Sequence, residues 1–139
     1  MTLLTDAVRA ALTAGRLAHL VTLNPDGSPQ ITLVWVGVDG DEIVTAHLGL
    51  YKKLRNLQRD PRVALSIEAA GSESGGLEHY LVVHGHAKVT EGGAPELLEK
   101  LTKIYLGPDA PPSPIPNPPP GYVLRITPER VGGIGPWKP

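Results

Sequence analysis

Two turn signals constrain this chain more than anything else in it. Asn24-Pro25-Asp26-Gly27 has Pro second and Gly fourth, the order a type I turn favours. Asp39-Gly40 is a two-residue hairpin signal. They divide the early chain into residues 17–23 (LAHLVTL), 29–38 (PQITLVWVGV) and 42–47 (EIVTAH), three runs rich in β-branched residues. Runs this short, joined by turns this tight, pair as an antiparallel meander. Alternation along the second run puts Gln30, Thr32, Val34 and Val36 on one face, and Ile31, Leu33 and Trp35 on the other.

Helical spacing interrupts the strands three times. Thr5 or Asp6 is placed to cap a helix through about Ala14, with Gly15 following it. Residues 50–59 (LYKKLRNLQR) put Leu50, Leu54 and Leu57 on one stripe, with Lys52, Arg55, Asn56 and Arg59 opposite and Lys53 at the border. Asp60-Pro61 ends that helix. Strands are expected at 62–68 and 78–90, separated by a Gly/Ser-rich loop over 69–76, and Gly85 marks a bulge or bend. A helix follows at 95–106, and a last strand at 122–127 stops before Pro128. Eight of the 15 prolines fall within 107–121, an extended loop that serves as a connector or as one wall of a substrate pocket. The order βββ-α-ββ-α-β predicts a mainly β fold, a small antiparallel barrel with helices at its openings, in one domain over 1–139.

Composition narrows the chemistry. With no cysteine there is no disulfide, thiolate nucleophile or cysteine-ligated metal cluster, and a reducing, cytoplasmic location is permitted. Thirteen basic residues against 14 acidic ones give a net charge of −1, which argues against a nucleic-acid partner. No apolar run approaches the ~20 residues of a membrane span, and the first residues lack the basic start of a secretion signal. There is no G-x-S-x-G elbow and no acid–base dyad, so no catalytic side chain is assigned. His84 and His86 share a strand face but lack a third metal ligand at a telling spacing, so no metal site is assigned. What remains is the basic helix. Lys52, Lys53, Arg55 and Arg59 near a helix start suit an anion such as a phosphate; the same pattern also fits a solvated helix face.

Further motifs fall in a specific order. Leu20-Val21-Thr22, Asn24 through Gln30, Val34-Trp35, Asp39-Gly40-Asp41, Lys53-Leu54-Arg55-Asn56-Leu57 and Arg59 through Leu65 follow one another, and Val83-His84-Gly85-His86-Ala87 and Gly135-Pro136-Trp137 come later. In this the chain resembles the pyridoxamine 5′-phosphate oxidase-like, FMN-binding split-barrel superfamily. It is most similar to the branch that uses the deazaflavin coenzyme F420. The resemblance implies a six-stranded split barrel, a homodimer with cofactor sites at the interface, and a small-molecule substrate. It implies that Gln30, Thr32 and Val34, with Thr45 and His47, line the ring and its polyol chain. Lys52 and Lys53 would reach the phosphate with Arg55 and Asn56 adjoining, and Trp137 of the partner chain would close the site. The implied activity is hydride transfer from reduced deazaflavin to a conjugated acceptor of the quinone, tetrapyrrole or unsaturated lactone class. FMN-dependent chemistry, or a non-catalytic module storing flavin or haem, stays open beside it.

Overall fold

The computed structural model describes residues 2–73, 75–112 and 114–137. Seven strands form one antiparallel sheet: β1 (Ala18–Leu23), β2 (Pro29–Val34), β3 (Gly37–Asp39), β4 (Glu42–His47), β5 (Arg62–Ser72), β6 (Glu78–Glu91) and β7 (Tyr122–Ile134), in the order β2-β1-β5-β6-β7-β4-β3. The two edge strands, β2 and β3, are joined by only Trp35 and Val36. A sheet whose opposite edges are two residues apart in the chain must curl round on itself, and the result is a mainly β split barrel.

Local chemistry explains the turns. In the β1–β2 loop the Gly27 amide donates to the Asn24 carbonyl (2.9 Å), as a type I turn requires. Asp26 accepts from the Ser28 amide (3.0 Å) and hydroxyl (2.5 Å), and these bonds hold its carboxyl below the usual range. The β3–β4 hairpin pairs Asp39 with Glu42, so its two loop residues are Gly40 and Asp41, one position later than the Asp-Gly signal predicts. Gly40 carries φ +61° and Asp41 does not, which is the type II′ pattern with glycine first.

Three expectations about the strands change. The run 29–38 is two strands, so the barrel has seven rather than six. Its break at Trp35-Val36 is held by Tyr105, whose hydroxyl accepts from the Val36 amide (2.9 Å) and donates to the Arg16 carbonyl (2.8 Å). β5 continues to Ser72, into the expected loop, because its ladder with β6 resumes after an irregularity between Glu68 and Ser72. β7 runs through Pro128 to Ile134. There the ladder passes from His84–Arg130 to Gly85–Pro128, so the residue count differs between the strands and a bulge absorbs the proline's missing donor. Gly85 is required at that bulge, because a Cβ would meet the Thr127 carbonyl.

Three helices close the barrel: α1 (Asp6–Leu12), α2 (Lys52–Arg59) and α3 (Ala94–Leu106). Thr5 caps α1, its side chain accepting from the Val8 amide. Val8 and Leu12 of α1, with Leu54 and Leu57 of α2, join Leu20, Ile43, Leu65, Leu81, Leu124 and Ile126 from the strands, and Val36 from the β2–β3 corner, in one core. Each fully buried leucine or isoleucine contributes roughly 1.5–3 kcal/mol by leaving water. No helix among the described residues is long and apolar enough to cross a membrane.

Candidate functional site

The candidate site forms where α2 lies against β1 and β2. Lys53 and Asn56 are three residues apart, so they share the edge of α2 that faces those strands. This corrects the helical reading in one respect. Asn56 was expected on the polar face with Arg55 and Arg59, but it is only 2% exposed. A buried amide needs partners, and the β1–β2 hairpin supplies them. The Asn56 Nδ2 group donates to Thr22 Oγ1 (3.1 Å), Asn24 Oδ1 (3.1 Å) and Gln30 Oε1 (3.0 Å). Leu50, expected in the buried stripe, precedes the helix and is exposed.

Lys53 is half-buried beside this network. Its Nζ donates to Thr32 Oγ1 (3.4 Å) and lies 5.8 Å from the centre of the Tyr51 ring. Burial pushes its pKa below the ordinary lysine value. No carboxylate among the described residues pairs with it, so a partly desolvated cation faces a space without a counter-charge. Lys52 is exposed at the start of α2 and acts on Asp26 of the hairpin turn only through its field. Arg55 is exposed and has no ion pair among the described residues. Arg59, by contrast, is tied down, donating to the Asn56 side-chain oxygen and to the Leu23 carbonyl.

The inner side of the site is an open cavity of mixed polar and apolar lining. A cavity of 210 Å³ is lined by Leu33, Val34, Trp35, His47 and Lys53, with Leu98 and Leu101 reaching in from α3. Trp35 stacks on Tyr105 with ring centres 4.9 Å apart and planes 9° apart. His47 is buried, its Nε2 2.7 Å from the fully buried Thr45 hydroxyl. Burial, and then the Lys53 charge, push the His47 imidazole down to about 4, so it is neutral near pH 7. The cavity therefore holds one ammonium, one neutral imidazole and no carboxylate.

The structure brings Gln30, Thr32, Lys53 and Asn56 into one bonded neighbourhood, with Val34 and His47 on the adjoining cavity wall. Thr45 sits behind His47. Within the chain the Trp137 Nε1 donates to the Tyr80 carbonyl (3.1 Å), and its ring meets the edge of His79 at 6.0 Å. Leu98, Leu101 and Tyr105 were not among the residues the sequence singled out for the site. Their stripe on α3 reads simply as core-facing, and nothing local shows that it reaches β2. The return of the 107–121 segment is anchored by bonds from the Gly92 amide to Gly121 O (2.7 Å) and from the Ala94 amide to Pro120 O (3.0 Å). Pro119, Pro120 and Gly121 then border a groove of 390 Å³ with Leu48, Gly49 and Leu50, just before α2. His86 lies 3.1 Å from Glu129, and no cluster of three or more metal-ligating side chains occurs among the described residues.

No protein of curated function matches the sequence. Among solved structures, an F420 reductase superposes with a TM-score of 0.71 at 25% identity, over 89% of this chain and 94% of that one. A conserved hypothetical protein of Mycobacterium tuberculosis gives 0.70 at 24% identity, over 93% and 83%. An FMN-binding protein of Syntrophomonas wolfei gives 0.65 at 14% identity, over 91% and 83%, a likeness of fold. The pyridoxamine 5′-phosphate oxidase family model matches residues 4–135, nearly the whole chain. With the split barrel and the α2–β2 cradle in place, that match assigns the family: the chain belongs to the pyridoxamine 5′-phosphate oxidase family.

Proposed function

We propose that the protein is a homodimeric oxidoreductase that holds coenzyme F420 against α2 and β2 and passes a hydride to a conjugated organic acceptor. The observation that carries this reading is Lys53, a half-buried ammonium whose hydrogen bond among the described residues is to a hydroxyl, with Lys52 and Arg55 exposed on the same helix and without ion pairs among the described residues. These cations suit a phosphate group, whose oxygens accept charge-assisted bonds. The cavity beside it, floored by Val34 and Trp35, fits the edge of a planar ring. The quinone, tetrapyrrole and unsaturated lactone classes of acceptor share the conjugation that the reading requires. The similarity to an F420 reductase supports the choice of deazaflavin.

The bound deazaflavin supplies two-electron chemistry that no side chain here can perform. The chain supplies position and charge. Lys52, Lys53 and Arg55 hold the phosphate end, while Gln30 and Thr32 border the ring and polyol. Leu33, Trp35, Leu98 and Leu101 give the ring apolar surface to lie against. His47 is neutral at pH 7 and engaged with Thr45, so it shapes the wall rather than donating a proton. The proton for the product comes from solvent.

The dimer rests on β2, an edge strand that turns Ile31 (61% exposed) and Leu33 (53% exposed) outward. An exposed apolar edge of this kind is normally covered by a partner. Sedimentation is expected to show a dimer at micromolar concentration, and a 14.7 kDa monomer would contradict it. Separate titrations of apoprotein with oxidised F420 and with FMN test the cofactor. Binding of F420 at micromolar concentration is expected; binding of FMN alone would move the reading to a flavin enzyme. Bound, reducible cofactor without turnover on quinone and enone acceptors would move it to a storage module.

A further inference from the structure

The polar network under the site has a direction, set by the residue at its closed end. Arg59 donates to Asn56 Oδ1 (3.4 Å) and also to the Leu23 carbonyl, which fixes the guanidinium in place. A guanidinium has donors only, so Asn56 turns its oxygen toward Arg59. Its NH2 group then faces the opposite way, where Thr22, Asn24 and Gln30 each present an oxygen. Gln30 in turn has its Oε1 held inward by Asn56 (3.0 Å) and by the Thr22 hydroxyl (3.4 Å). Its Nε2 group points away from the network and has no partner among the described residues. Gln30 is half-buried on β2, two residues from Thr32 and on the same strand face.

We infer that Asn56 is a positioning residue that sets the polarity of Gln30. Arg59 orients Asn56, Asn56 orients Gln30, and Gln30 presents an N–H donor rather than an acceptor to the cofactor site. The ligand feature that matches a fixed donor there is an electron-rich edge: a ring carbonyl oxygen or a deprotonated ring nitrogen. Without the relay the Gln30 amide turns freely and has no preferred polarity, since its two ends have nearly the same shape. The part of this inference that concerns the ligand rests on the proposed cofactor site; the orientation of Gln30 does not.

The orientation is tested on apoprotein by NMR. In the wild type, a coupling across the hydrogen bond from the Asn56 side-chain nitrogen to the Gln30 side-chain carbonyl is expected, and the Gln30 NH2 protons should exchange rapidly with water. In Asn56→Asp, which is isosteric and leaves Arg59 a carboxylate to pair with, the amide donor to Gln30 becomes an acceptor, and the Thr22 hydroxyl gains that carboxylate as an alternative acceptor. The Gln30 amide should then reverse, and its NH2 protons should shift downfield and exchange slowly. A wild-type coupling in the opposite sense, or Gln30 exchange identical in both proteins, would overturn the relay. Should Asn56→Asp fail to fold, the wild-type coupling decides.

Gln30→Glu carries the test to the ligand. It keeps an acceptor for Asn56 but removes the outward N–H, so the apoprotein should fold normally. With F420 bound, both Gln30→Glu and a folded Asn56→Asp should shift the cofactor absorption band. Both should also make its reduction potential more negative, while inorganic phosphate competes as it does with the wild type. An unchanged spectrum and potential in Gln30→Glu would overturn the donor role. If wild-type protein binds neither F420 nor FMN, the cofactor reading fails, while the NMR result still decides the relay.

Discussion

Arg125 and Lys53 each border a cavity in this barrel, and their surroundings are opposite. Arg125 of β7 lies beside a cavity of 540 Å³ between α3 and the β4–β7 pair, lined in part by Val44, Thr90, Leu97 and Val123. Its guanidinium is already bonded to Asp39 (3.0 Å) and Glu42 (3.2 Å), which raise its pKa. Lys53 borders a smaller cavity and has no carboxylate partner among the described residues, and burial lowers its pKa. The guanidinium at the larger space is paired within the chain; the ammonium at the smaller one has no carboxylate partner among the described residues. A paired cation ties strands together, whereas a half-buried cation without a counter-charge is poised for an anion from outside.

The largest effect expected from this contrast is an acid sensitivity confined to the Lys53 side. The His47 imidazole falls from an ordinary value of 6.5 to about 4 on folding, so the unfolded chain binds more protons between those pH values. Stability therefore falls as pH drops from about 6.5 toward 4, by an amount on the order of 3 kcal/mol. His47→Gln should flatten that part of the pH profile in denaturant melts. A slope left unchanged would mean that His47 is protonated in the fold.

Next in size is the charge itself. Lys53→Ala should weaken phosphate-bearing cofactor binding by roughly 1.5–3 kcal/mol, the worth of a charge-assisted bond. The fold should be kept, since no ion pair is lost. Tyr105→Phe follows, at about 1–2 kcal/mol of stability, because the Val36 amide loses its partner at the corner between β2 and β3. Chemical denaturation measures it, and a change below about 0.5 kcal/mol would mean that the corner holds without the hydroxyl. Smallest is Arg125→Ala, expected to cost no more than about 1 kcal/mol, as partly exposed ion pairs do. Cofactor affinity should not change; a loss matching that of Lys53→Ala would erase the distinction between the two cavities.

Much of the barrel was legible where local chemistry decides. The Asn24–Gly27 turn, the Thr5 cap, the Asp60-Pro61 stop and the irregularity at Gly85 are each dictated within a few residues. The corner at Trp35-Val36 was not, because alternation runs through it and the hydroxyl that holds it comes from Tyr105, 69 residues beyond Val36. β7 beyond Pro128 was hidden for a similar reason: the bulge that accommodates the proline depends on its partner strand. The site divides in the same way. The basic residues of α2 were visible in the chain, but helical spacing put Asn56 on the wet face. Only the β1–β2 hairpin, packed against that edge, shows why an asparagine belongs in the interior.

The central claim is that the uncompensated charge of Lys53 is there to meet the phosphate of a bound cofactor. Isothermal titration of wild-type and Lys53→Ala apoprotein with oxidised F420, each with and without inorganic phosphate as competitor, tests it most directly. The expected result is micromolar binding by the wild type that phosphate weakens. Lys53→Ala should bind roughly ten to a hundred times more weakly and respond less to phosphate. Equal affinity in the two proteins, with the same response to phosphate, would contradict it.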